Sequence, residues 1–79
     1  MKQIDNISKI ELKVIKQLFI TPEANKFSYL ERFFTIQEIK QESTRFLYLM
    51  LLNILDIDEK DLNYSRFHNG LKHYKKTLN

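Results

Sequence analysis

The chain has no cysteine, no tryptophan, one glycine and one proline. Without cysteine there is neither a disulfide framework nor a thiolate metal centre. The scarcity of Gly and Pro excludes collagen-like and linker-like chains, which are rich in both. No run approaches the roughly 18 consecutive apolar residues of a membrane-spanning helix. The opening residues, with Lys2 and Asp5 ahead of a helical pattern, lack the apolar core of a signal peptide. A cytoplasmic protein without a membrane partner is therefore expected. Strict polar–apolar alternation is absent too, so no strand is predicted.

What is present fits one small helical domain spanning residues 1–79. The chain is 43% hydrophobic and 29% charged, too apolar for a disordered tail. A chain this short buries only about 60–65% of its unfolded surface. Packed helices must therefore hold it together, and six Phe and four Tyr supply large side chains for that purpose. The expected fold is all-α, a compact bundle of about four helices around a nearly all-apolar third one. The Lys-, Ile- and Asn-rich usage is what an AT-rich bacterial or phage genome produces.

In the first segment Ile4, Ile7, Ile10, Val14 and Leu18 recur at three- and four-residue intervals, widened by Ile15 and Phe19; this spacing predicts one apolar face of a helix. Ser8 and Glu11 have capping-box spacing, with Asp5 or Asn6 as alternative caps. Thr21-Pro22-Glu23 predicts a new helix over residues 22–34, because Pro is tolerated in the first turn. Thr35 and Glu38 form a second capping pattern, placing another helix start at Ile36. From Phe46 to Leu55 only Asn53 is strongly polar, so this helix must be enclosed on nearly every side. Self-association, or a stable partner that buries part of it, is therefore expected. A continuous helix over residues 36–55 is favoured, with Ser43-Thr44 marking a bend or a break. Asp58 is a good cap for a fourth helix from about Glu59. There Tyr64, Phe67, Leu71, Tyr74 and Leu78 form a stripe that can override Gly70, since Gly in a helix costs only about 1 kcal/mol.

No motif for chemistry survives inspection. Asp56, Asp58 and Asp61 suggest a calcium loop, but its fifth and sixth positions are Lys60 and Asp61, and Phe67 replaces the final Glu. His68 and His73, five apart, do not share a helix face. Ser43-Thr44 and Ser65 lack nucleophile context. No catalytic residue, cofactor site or metal site is expected, and the chain is read as non-enzymatic.

Charge is uneven. Residues 1–40 carry seven basic and five acidic side chains, and residues 41–62 two and five. Residues 63–79 carry Arg66, Lys72, Lys75 and Lys76 with no acid. These four are the candidate contacts to a partner or to nucleic acid. Tyr29, Phe33 and Phe34 are the candidate exposed apolar contacts, because helix neighbours cannot all face inward.

Thr35-Ile36-Gln37-Glu38-Ile39 resembles the opening of the first helix in bacterial helix-turn-helix units. Residues 51–62, Leu-Leu-Asn-Ile-Leu-Asp-Ile-Asp-Glu-Lys-Asp-Leu, resemble the last helix and cap of lambda-repressor-like regulators. The resemblance covers about a fifth of the chain and implies a DNA-binding regulator. The segment that would read bases, residues 45–55, is nearly all apolar, whereas a groove-reading helix needs polar side chains. The favoured function is a protein-binding module (regulator, inhibitor or assembly subunit) using an apolar helix surface and a basic C-terminal helix. A protein partner ranks ahead of a homodimer or nucleic acid.

Overall fold

The computed structural model describes residues 7–21 and 26–78. The chain is all-α, and among the described residues there is no strand. Helix α1 spans Lys9–Ile20, a 3₁₀ helix Phe27–Arg32, α2 Ile36–Gln41, α3 Thr44–Leu55 and α4 Tyr64–Thr77. Helix α3 is central, packing on α1 and on α4, and α4 also packs on the 3₁₀ helix. The expected roles of Ile4, Asp5, Asn6, Pro22 and Glu23 lie outside the described residues.

Local chemistry explains most boundaries. Ser8 Oγ accepts from Glu11 N–H at 3.1 Å and starts α1. The reciprocal half of a capping box is absent because the Glu11 carboxylate instead takes a two-pronged contact from Arg32, at 2.8 and 3.0 Å. Thr35 and Glu38 form the complete box at the start of α2. The favoured continuous helix over residues 36–55 does not form. Glu42 and Ser43 are extended, with ψ of 152° and 153°, and Ser43 Oγ accepts from Phe46 N–H at 3.1 Å. The serine side chain thus offers the backbone an alternative to the helical ladder, and α3 starts afresh.

Helix α3 ends at Asp56, whose φ of 54° is left-handed. Asp is among the few residues that accept this conformation. The turn is closed by Ile57 N–H donating to Leu52 O at 3.0 Å, the six-to-one bond of a Schellman end. Asp58 does not cap α4. It closes a turn with Asp61, whose N–H donates to Asp58 O at 3.0 Å. The cap is Asn63, whose side chain accepts from Arg66 N–H at 3.0 Å, so α4 begins about five residues later than Asp58 suggested. As expected, α4 runs through Gly70.

The core corrects two further expectations. Phe33 and Phe34 are both fully buried. In a 3₁₀ helix residues three apart eclipse, so Phe27, Leu30 and Phe33 align on one side; the chain then turns, and Phe34 enters the core as well. Of the three expected exposed aromatics only Tyr29, at 37%, is open to solvent. The face of α1 is also rotated. Ile15 and Phe19 are buried and Leu12 packs against them, whereas Ile10 is 75% and Val14 52% exposed.

Phe27 is the hub of the aromatic cluster. Its ring lies 5.9 Å from Phe19 edge-on, 5.6 Å from Phe67 and 6.4 Å from Tyr74. Tyr48 extends the cluster to Phe67 at 5.5 Å and donates its hydroxyl to Leu62 O at 2.6 Å, tying α3 to the approach of α4. Gly70 faces Phe27 so closely that a Cβ there would stand 2.3 Å from the ring.

Gly70→Ala should therefore destabilise the protein despite Ala's better helix propensity. Overpacking costs about 1–3 kcal/mol against a propensity gain of about 1 kcal/mol. Thermal melting should show a loss of about 5 °C, and in a Phe27→Leu background the same substitution should raise the melting temperature. Leu51, fully buried in α3, gives a sharper test of the core. Leu51→Asp should abolish the cooperative melt, since an unpaired buried charge outweighs a few kcal/mol of net stability.

Candidate interaction surfaces

Two surfaces stand out, one apolar and one basic. On α1 the outward positions Lys9, Ile10, Lys13, Val14, Gln17 and Thr21 are all exposed, with Leu18 half-buried at their edge. Ile10, Val14 and Leu18 step by four residues and so form one stripe along the helix. The helix thus has two apolar faces. Phe19 edge-on to Phe27 fixes which one turns inward. The periodicity of Ile10, Val14 and Leu18 was visible in the sequence. What it did not contain was the choice between two adjacent stripes, which the size of Phe19 and its ring partner settles.

On α4, Arg66, Lys72 and Lys76 are exposed as expected, whereas Lys75 is half-buried. Its ammonium donates to Glu42 O at 3.2 Å, bridging α4 to the break between α2 and α3. The inward stripe of α4 holds Phe67 and Leu71 in the core, with Tyr74 and Leu78 half-buried. Tyr64 departs from it at 37% exposure. Tyr64 stacks edge-on against Tyr48 at 5.0 Å instead of entering the core.

Helices α2 and α3, separated by Glu42 and Ser43, occupy the place of the helix-turn-helix resemblance. The exposed side of α3 carries Arg45, Phe46, Leu49 and Asn53, with Phe46 at 42% and Leu49 at 43% exposure. Two of these four have no group that can hydrogen-bond a base edge. His68 and His73 are both exposed, and among the described residues no group of three or more His, Cys, Asp or Glu side chains could hold a metal ion. No described helix is long and apolar enough to cross a membrane.

Among the ionisable groups shifted by their surroundings are two tyrosines and a buried lysine. Burial, and next a hydrogen bond to the Glu31 carboxylate, push the Tyr74 phenol up to about 12. Burial also raises Tyr48, followed by the charge of Glu59. Lys26, buried, is held below its usual value by desolvation and then by the nearby charge of Arg66. Its ammonium caps the end of α1, donating to Phe19 O at 3.2 Å and to Thr21 O at 2.9 Å.

Compared with family models, curated proteins and solved structures, the chain matches none.

The tyrosine shifts imply a pH dependence with a definite sign. An acid whose pKa is raised on folding holds its proton in the folded state while the unfolded chain loses it. Stability is then full below the unfolded tyrosine value of about 10 and falls as pH rises through the folded value. Chemical denaturation should show stability declining from pH 10 to 12, and Tyr74→Phe should make that decline shallower. An equally steep decline in the variant would show that Tyr74 does not carry it.

Proposed function

We propose that the protein is a non-enzymatic helical binding module (a small regulator, inhibitor or assembly subunit) that docks a partner protein on the outer face of α1, with the basic flank of α4 assisting. The observation that carries this reading is Ile10 at 75% and Val14 at 52% exposure on one stripe. Fully burying such a side chain is worth about 1.5–3 kcal/mol. A second helix laid along Ile10, Val14 and Leu18 would recover that free energy through a helix-on-helix contact.

The charge around the stripe selects the kind of partner. Lys9 and Lys13 flank it and no acid stands among its exposed positions. A second copy paired symmetrically on this face would set lysines against lysines, whereas an amphipathic helix with an acidic rim would complement them. Arg66, Lys72 and Lys76 add to the positive field that would steer such a partner. The DNA-binding alternative draws on the same cations. It is less well supported, because the exposed side of α3 gives two apolar side chains where base-reading groups are needed.

A double variant, Ile10→Asp with Val14→Asp, should melt within a few degrees of the wild type, since surface substitutions typically change stability by about 0.5 kcal/mol or less. Wild type used as bait in its native host should capture a protein that the double variant loses. Recovery of nucleic acid in place of protein, or the same proteins with both baits, would overturn the reading. Submicromolar DNA binding that weakens steeply with salt would establish the alternative.

A further inference from the structure

A cleft of about 520 Å³ opens between the end of α1, the start of the 3₁₀ helix and the first turns of α4. It lies apart from the Ile10, Val14 and Leu18 stripe and shares only Arg66 with the basic flank of α4. Its floor is apolar: half-buried Ile20 and the edge of Phe27, 8% exposed, reach it, with the buried Phe19 and Phe67 closing the base from below, and the absent side chain of Gly70 leaves room for the Phe27 ring that shapes it. Its walls carry three cations, Lys26, Lys60 and Arg66, against a single acid, Asp61.

The placement of the cations is unusual for a structural cluster. Lys26 is only 8% exposed and donates to the Phe19 and Thr21 carbonyls, which leaves, among the described residues, a third ammonium proton without a partner in a lysine already disfavoured by burial and by Arg66. Lys60 reaches no closer than 3.8 Å to Asp58, with both side chains wide open to solvent. Such a pair holds neither group firmly. Asn63, the cap of α4, lies on the same wall, so the positive end of that helix adds to the field. An anion in the cleft would meet a guanidinium and two ammonium groups, one of them largely covered by the surrounding protein.

We propose that this cleft binds a small phosphate monoester of the nucleoside monophosphate class, its phosphate held by Arg66, Lys60 and Lys26 and its organic part resting on the apolar floor at Ile20 and the edge of Phe27. A phosphate monoester carries close to two negative charges at neutral pH. Guanidinium is the group best matched to its oxygens. The volume falls within the roughly 300–1,000 Å³ of ordinary small-molecule sites. Asp61, Asn63 and Asn69 supply acceptors and amides for sugar hydroxyls and base edges on the same walls.

Adenosine 5′-monophosphate is the probe, titrated into the full chain while backbone amide shifts are followed. Saturable shifts at Asn63, Arg66, Asn69 and Gly70 are expected, with adenosine and inorganic phosphate each at least about tenfold weaker. Arg66→Gln and Lys60→Gln should each weaken the nucleotide about fivefold to tenfold and leave the melting temperature unchanged. Lys26 is a poor choice for substitution because it also caps α1. The proposal is overturned by the absence of saturable shifts up to about 10 mM, or by unchanged affinity in both variants. Inorganic phosphate binding as tightly as the nucleotide would leave no role for the apolar floor and would overturn it too. So would equal binding, at the same amides, of an oligonucleotide without terminal phosphate, which would make the site a groove for the nucleic-acid backbone.

Discussion

The contact between the Phe27 ring and Gly70 is the constraint on which the rest of the arrangement depends. A short 3₁₀ helix has little to hold it in place by itself, since its hydrogen bonds are poorly aligned and few. Phe27 anchors it by lying where α4 has no side chain. Once seated, the ring makes contacts with Phe19 of α1 and with Phe67 and Tyr74 of α4. One side chain thereby joins the two ends of the described chain. The single glycine, a helix breaker by propensity, sits within α4 because packing at that point outweighs about 1 kcal/mol of propensity.

That ring also decides what the surface looks like. With Phe19 edge-on to Phe27, α1 turns Ile15 and Leu12 toward the core and leaves Ile10 and Val14 in water. The same contact forms the floor of the basic cleft, where Lys26 is pinned by the carbonyls at the end of α1. Two surfaces of opposite character, one apolar with a lysine border and one concave and cationic, therefore follow from the seating of one aromatic residue. An apolar stripe left outside the core of a 79-residue chain is costly for a protein with so little surface to bury.

Much of this was legible in the sequence, and the failures are physical. The Thr35–Glu38 box and the Ser8 cap were readable because capping depends on residues three apart and little else. The passage of α4 through Gly70 was readable from the regular stripe. The break at Ser43 is hard to read from the sequence, because apolar spacing continues across it and only a local side-chain bond interrupts the helix. The burial of both Phe33 and Phe34 was lost because helical reasoning assumes 3.6 residues per turn, and this segment has three. The start of α4 was misplaced because several acids upstream of Asn63 have equally good capping chemistry. Which stripe of α1 faces inward is a tertiary choice, made by a contact between residues 19 and 27 that periodicity does not encode. The candidate site is legible in the same uneven way: the basic residues of α4 are evident from charge alone, whereas spacing puts Ile10 and Val14 on one apolar face with Ile15 and Phe19 and does not separate the two pairs.

The rotation of α1 joins the packing of the core to the proposed function, and solvent access to individual methyl groups reads it directly. In the isolated protein, with a soluble paramagnetic agent added, the methyl signals of Ile10 and Val14 should broaden strongly while those of Ile15 and Leu30 stay sharp. Equal protection of Ile10 and Ile15 would contradict the outward stripe, and with it the docking face.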